Sequence, residues 1–256
     1  ATGRTLTSPK TIFVTGAATV RERIVIPPFQ SVVEPEYQDE DGLFPLTAYE
    51  YALNIVGDLE YGAQTALGVV SWTADSPTEL MQLVVTGVSV AADDLVGRCV
   101  LGTGLGQVAW IGRNTATSGG ETTLYLSTWQ EFTEPVRLGT PIEIQAPDGE
   151  TDVTIEGRRL QCDVSIQGLK VSHPGVATGR SIAFYDLAGT LAVFGCNVSC
   201  GFLLYAVREP YFYQSQVGSG VSSGTTVAAR SQVNQGFGGY FEECLFNRAH
   251  FLTTLC

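Results

Sequence analysis

Two segments in the second half of the chain share one pattern of residue types. Residues 166–172 (IQGLKVS) and 193–199 (VFGCNVS) both run branched apolar residue, any residue, Gly, two variable residues, Val, Ser, and they lie 27 positions apart. Looser echoes follow at residues 213–217, 229–233 and 242–246. Strands that repeat in this way bury one face against the equivalent strand of the next copy, which is typical of a stacked β-solenoid. We therefore expect residues 148–256 to form a solenoid.

The composition favours strands and excludes two classes of partner. Hydrophobic residues make up 44% of the 256 residues and charged residues 16%, and 29 residues are glycine, a balance typical of strands joined by tight turns. The net charge is −12 and no basic cluster is present, so binding of nucleic acid through its backbone is not expected. No apolar run approaches the roughly 18 residues of a membrane span, and we expect no membrane insertion.

The first predicted module covers residues 1–92. Strand candidates at 20–26, 49–55 and 80–85 predict a small antiparallel sandwich or open barrel. Between the first two lies a run with five carboxylates in nine residues, of which Asp39 and Asp41 are the candidate calcium ligands. The ordered ligand spacing of an EF-hand loop is missing, so the alternative is a solvated loop.

The second predicted module covers residues 93–147 and is centred on a hairpin. Two strand-like runs, at 107–112 and 122–127, flank the turn Ser118-Gly119-Gly120. Glycine takes the positive φ values that a reversing chain demands, so this spacing predicts an antiparallel pair within a small barrel.

The six cysteines predict neither a metal site nor a disulfide framework. They form no Cys-x-x-Cys pair, and the chain has only two histidines, whereas zinc sites use paired ligands. We expect buried thiols that pack as small hydrophobic side chains, as in proteins made in a reducing cytoplasm. No cofactor is expected.

Few residues suggest catalysis. Hydrolysis of a polysaccharide needs two carboxyl groups at a fixed separation, and no two acidic residues after position 162 occupy equivalent positions of the repeat. No catalytic set is assigned, and Glu243 and Asp186 are the carboxylates that a hydrolytic site would use. Tyr211 and Tyr213 follow a corner at Pro210, and three roles stay open for them: core packing, a subunit interface, or contact with a glycan.

The middle of the chain resembles a small β-module of tailed-bacteriophage virion proteins. The resemblance rests on about 55 residues: Val96-Gly97-Arg98, a Gly-rich turn, residues 107–111 (QVAWI), residues 114–117 (NTAT), residues 123–126 (TLYL), Trp129, and residues 141–144 (PIEI). The solenoid that follows is similar in style to phage tailspike shafts. The resemblance implies a structural or attachment role and assembly as a homotrimer.

These observations combine into one prediction of fold and role. The fold is mainly β, with antiparallel β modules followed by the start of a right-handed parallel β-helix that continues beyond Cys256. The expected role is a structural component of a tailed-phage particle, in the tail or attached to the head, without chemistry in this segment. Its partners would be its own copies, other virion proteins and a host surface glycan, after synthesis in the host cytoplasm. The alternatives are a tailspike-like polysaccharide depolymerase and a bacterial surface adhesin.

Overall fold

The protein is built from strands and turns, and the described ranges contain no helix. The computed structural model describes residues 5–31, 51–61, 64–73, 81–102, 107–128, 132, 135–150, 152–174, 181–218, 229–234, 240–242, 244–246 and 249–254. The prediction of a mainly β protein is confirmed. The first twelve strands are β1 (Thr5–Leu6), β2 (Lys10–Phe13), β3 (Thr19–Arg21), β4 (Ile24–Ile26), β5 (Phe29–Ser31), β6 (Leu53–Val56), β7 (Thr65–Thr73), β8 (Met81–Thr86), β9 (Cys99–Gly102), β10 (Val108–Asn114), β11 (Thr122–Leu126) and β12 (Val136–Gly139). The second twelve are β13 (Glu143–Gln145), β14 (Ile155–Gln161), β15 (Val164–Gln167), β16 (Lys170–Ser172), β17 (Ile182–Phe194), β18 (Asn197–Val198), β19 (Phe202–Tyr213), β20 (Gln216–Val217), β21 (Ala229–Asn234), β22 (Tyr240–Glu242), β23 (Leu245–Phe246) and β24 (Ala249–Thr254).

Two parallel sheets form the larger part of the molecule, which we call the parallel body. One sheet has twelve strands and contains β1, β2, β4–β6, β14, β15, β17, β19, β21, β22 and β24. The other has six strands in the order β23-β20-β18-β16-β13-β3. Along the chain, strands of the second sheet alternate with strands of the first, and every strand pair within both sheets is parallel.

Side chains at equivalent positions of neighbouring strands stack into columns that fill the core. One column contains Ile55, Ile166, Val193 and Phe212, each fully buried. Burying one such side chain stabilises the fold by about 1.5–3 kcal/mol. The same column begins at Ile12 of β2, which is 38% exposed because β2 is the last strand along its path of the sheet. The columns explain why branched apolar residues recur at this spacing.

The two segments that share the sequence pattern lie side by side in the structure and pair in register. Ile166 pairs with Val193, as the 27-residue spacing predicts. The glycines of the pattern, Gly168 and Gly195, have φ angles of 62° and 55°, and the equivalent Gln214 has 45°. The chain leaves one sheet for the other at this position, in the left-handed region that glycine enters without steric cost.

Two of the three looser echoes lie in the same register. Residues 213–217 pair with the second of the two patterned segments, and residues 242–246 pair with 213–217 in turn. The prediction that residues 229–233 repeat the same pattern is wrong. Strand β21 pairs with the first half of β19, at Leu203 and Leu204, and so belongs to another column.

A closed six-stranded antiparallel barrel, which we call the barrel, is inserted between β6 and β13. Its strand order is β10-β11-β8-β7-β12-β9. The predicted hairpin is confirmed: Ser118 and Glu121 exchange two backbone hydrogen bonds of 2.9 and 3.1 Å, with φ angles of 63° at Gly119 and 84° at Gly120. The barrel has a core of its own, made of Leu67, Leu83, Val85, Leu95, Val100, Ala109, Ile111, Leu124, Leu126, Phe132, Val136 and Leu138.

The two ends of the insertion are adjacent, and the barrel touches the parallel body a second time. The Ile142 amide donates to the Asp58 carbonyl at 2.7 Å, where the chain leaves and re-enters the body. At the second contact, the Trp110 indole Nε1 donates to the Gln214 carbonyl at 3.1 Å, and the Val108 amide donates to the Gln214 side chain at 3.3 Å. These bonds are buried, so they fix the barrel against the side of the body.

The strand pairing crosses both module boundaries predicted at 92 and 147. The strands between residues 5 and 56 pair in parallel within the body rather than as an antiparallel module. Strands β7 and β8, placed in the first module, belong to the barrel, and β13 pairs with β3 and β16 of the body. Alternation along a strand reports which face is buried and not the direction of its partner, so the pattern could not distinguish these arrangements.

Candidate functional site

A cleft opens on the side of the parallel body where three neighbouring strands bend. Arg158 of β14 pairs with Tyr185 of β17, which pairs with Tyr205 of β19, so the three side chains form one row. The cleft has a volume of about 440 Å³. Its lining residues are Val25, Ile26, Pro27, Pro28, Glu156, Arg158, Arg159, Tyr185, Asp186 and Tyr205.

The bend is made by one non-glycine residue in each strand. Arg159, Asp186 and Ala206 have φ angles of 55°, 56° and 53°. They occupy equivalent positions, because Leu160 and Leu187, the next residues in β14 and β17, pair with each other. The left-handed region costs a non-glycine residue about 1–2 kcal/mol, and such strain persists where the surroundings enforce it. The charged side chains at two of these positions lie exposed at the cleft.

One carboxylate of the cleft is already engaged by two arginines. Glu156 is 8% exposed, and its carboxylate accepts hydrogen bonds from Arg23 Nη2 at 3.2 Å and from Arg158 Nε. The bond with Glu156 raises the pKa of Arg158 above its ordinary value. The Arg158 guanidinium also lies over the ring of Tyr185, 4.8 Å from the ring centre, in a cation–π arrangement.

The remaining charges of the cleft have no ion-pair partner within the described ranges. Asp186, a predicted catalytic candidate, lies in the cleft with an exposed carboxylate, and Arg159 lies in the equivalent position of the neighbouring strand. The other catalytic candidate, Glu243, lies outside the described residues. The calcium candidates Asp39 and Asp41 also lie outside them. Among the described residues, no group of three metal-ligating side chains comes together.

Tyr211 and Tyr213 lie on another face of the body, in a row of aromatic rings. Phe212 between them points into the core, while these two pack with Tyr51 and Phe194 on the outward side. The ring centres of Tyr211 and Tyr213 are 6.4 Å apart and nearly parallel, and Phe194 meets Tyr211 edge-on at 5.8 Å. Both tyrosines are half-buried. We call this set the aromatic row.

A smaller cavity of about 240 Å³ lies at the junction of the barrel and the body. Glu60 and Arg137 line it and form an ion pair, with the Arg137 Nε donating to the Glu60 carboxylate at 2.6 Å. Leu59, Leu101 and Val108 supply apolar walls. The Glu60–Arg137 ion pair joins the connection that follows β6 to barrel strand β12, so it helps to hold the barrel in place.

No disulfide bond joins two cysteines within the described ranges, and several thiols are deeply buried. Burial raises the pKa of Cys99, Cys162 and Cys196 to about 12 in each case. A thiol with such a pKa stays protonated at neutral pH and is a poor nucleophile or metal ligand. These three side chains therefore act as packing groups.

Sequence reasoning missed most of the cleft, although the spacing of the repeat pointed to it. The 27-residue period that relates Ile166 to Val193 also relates Arg158 to Tyr185, so the first pair of the row could be read from the sequence. The engagement of Glu156 by Arg23 could not be read in this way, because it joins residues 133 positions apart.

The comparisons with known proteins identify no relative: no family model, no curated protein and no solved structure matches the chain. In the described part of the chain, no helix is long and apolar enough to cross a membrane.

Proposed function

We propose that this chain is a structural component of a tailed-phage particle, in its tail or in a spike or fibre attached to its head. In this proposal the parallel body is a right-handed parallel β-helix that serves as a stiff shaft. The observation that carries it is the unbroken register of parallel strands from β2 through β6, β15 and β17 to β19. A stack in which each layer contacts its neighbours is a rigid, one-dimensional element suited to mechanical roles.

The inserted barrel supports an attachment or anchoring role. It projects from the second layer of the stack and is fixed by buried bonds to Gln214, three layers further along. A module held in one orientation on a stiff shaft can present a surface to other virion proteins. The resemblance of residues 96–144 to a β-module of phage virion proteins supports the same attachment or anchoring role.

We propose self-association as a homotrimer through the outward side of the body, with the aromatic row as the contact surface. Tyr211 and Tyr213 are half-buried in the single chain and expose ring surface beside one another. Tyrosine is enriched at protein interfaces because its ring buries a large apolar area and its hydroxyl keeps a polar partner.

The geometry of the cleft favours this role over a depolymerase. Hydrolysis of a glycosidic bond uses two carboxyl groups, one as acid and one as base or nucleophile. In the cleft, the carboxylate oxygens of Glu156 are occupied by hydrogen bonds from Arg23 and Arg158. Asp186 is then the single carboxylate left for chemistry among the described lining residues.

Labelling of phage particles and measurement of mass test the proposal. An antibody raised against the barrel should label particles at one site in electron micrographs, and light scattering should give three chains per molecule. Tyr213→Ala should shift the mass toward the single chain, while Tyr125→Ala, a half-buried barrel tyrosine, should leave it unchanged. A protein found on bacterial surfaces and absent from particles would instead support the adhesin alternative.

A further inference from the structure

We propose that the cleft formed by Arg158, Arg159, Tyr185, Asp186 and Tyr205 binds a neutral saccharide and does not cut it. The proposal rests on the attachment role given above, because it names the ligand class that such a particle component would contact. It concerns the side of the parallel body and involves neither the barrel nor the aromatic row.

The shape of the cleft and its exposed Tyr205 side chain fit a ligand with flat apolar faces. Its volume of about 440 Å³ lies within the range of about 300–1,000 Å³ found for small-molecule sites. Tyr205 is 39% exposed and Val25 57%, and both line the same cleft. A pyranose ring presents a face of C–H groups that packs on a tyrosine ring, while its hydroxyl groups point sideways.

The charges of the cleft select a neutral ligand. Arg158 is balanced by Glu156, and Arg159 lies in the position equivalent to Asp186, so the lining carries two positive and two negative side chains. The chain as a whole has a net charge of −12, so this balance is local. A strongly acidic or basic ligand would meet a like charge at the cleft, whereas hydroxyl groups can donate to Asp186 and accept from Arg159.

The backbone positions of Arg159 and Asp186 are fixed by the packing of the residues that follow them. The left-handed residues Arg159 and Asp186 are held by buried neighbours on their C-terminal side, Leu160 and Leu187. Their side chains therefore project from fixed positions on two adjacent strands. A ligand that spans both strands gains affinity because few groups have to be ordered when it binds.

A binding experiment with matched variants tests the proposal. The whole chain is applied to immobilised neutral polysaccharides (dextran, mannan, galactan and chitin) and to an acidic one, polyglucuronate, and affinities are measured for the one it retains. Tyr205→Ala and Asp186→Asn should each weaken binding about tenfold or more, the loss expected for about 1.4 kcal/mol. The controls Tyr125→Ala and Glu121→Gln, a half-buried tyrosine and an exposed carboxylate of the barrel, should bind as the parent chain does.

The outcomes separate this inference from the proposed function. Retention on a neutral polysaccharide that the two cleft variants lose supports the inference, whether or not particles are labelled by the antibody. Retention on none of the polymers, or on polyglucuronate alone, would overturn it even if the chain is found on particles. Release of reducing ends that Asp186→Asn abolishes would overturn the statement that the saccharide is not cut.

Discussion

Replacing Ala206 by glycine should stabilise the protein, although glycine in a strand normally destabilises it. Ala206 has a φ of 53° and lies third in the left-handed row with Arg159 and Asp186. An alanine in this region costs about 1–2 kcal/mol relative to its preferred conformations, and glycine does not bear this cost. The greater conformational freedom of glycine in the unfolded chain reduces the gain in folding stability by about 0.4–1 kcal/mol. The expected net gain is roughly 0.5–1 kcal/mol.

Thermal and urea unfolding of Ala206→Gly measure this gain against a matched variant. Ala66 is an exposed alanine of barrel strand β7, paired with Arg137 of β12 and outside the left-handed region, so Ala66→Gly should cost about 0.5–1 kcal/mol. For a chain of this size, 1 kcal/mol corresponds to about 2–4 °C in Tm. The two variants should therefore move Tm in opposite directions. A loss of stability in Ala206→Gly equal to that in Ala66→Gly would refute the left-handed conformation of this row, and with it the shape of the cleft.

Three further predictions concern the core, the thiols and the insertion. Phe212→Ala should cost about 3–5 kcal/mol in urea unfolding, because the ring is fully buried and lies 4.8 Å from that of its neighbour Phe202. Cys196 should resist a thiol reagent at pH 8 until the chain unfolds. Because burial raises its folded pKa to about 12 from an unfolded value near 9, its contribution to stability is complete below pH 9 and should be lost as the pH rises toward 12, measured by urea titrations across that range. Replacing residues 60–139 by a short linker should leave a folded parallel body in circular dichroism, because Asp58 and Ile142 are already hydrogen-bonded at 2.7 Å.

The repeat in the second half of the chain could be predicted because its cause is local. Two successive passages between the sheets use a left-handed glycine close to a buried apolar residue, so Gly168 and Gly195 recur with Ile166 and Val193. The hairpin at Gly119 was predictable for the same reason, since the turn is specified by adjacent residues.

The interruption of the parallel body could not be predicted, because its cause is distant in the sequence. The short strand β13 has few residues of its own and is specified by partners in β3 and β16. In β7 and β8, more buried and less buried residues alternate. The same alternation would be expected if these strands belonged to an antiparallel module that begins at the N-terminus. The cleft was missed because it depends on three strands meeting in register, while each strand contributes only one to three of the lining residues.

The insertion of the barrel also determines the order in which the chain can fold. Thr19 must find Glu143, 124 positions later, before the second layer of the six-stranded sheet exists. Closing so long a loop in a disordered chain is entropically costly and slow. Three of the antiparallel pairs of the barrel (β7–β8, β9–β10 and β10–β11) join consecutive strands, and its two ends emerge side by side. Once it has formed, the separation falls from 124 positions to the 46 from Thr19 to Thr65 and the four from Gly139 to Glu143. Formation of the barrel therefore lowers the entropic cost of pairing β13 with β3 and lets the later layers of the parallel body assemble.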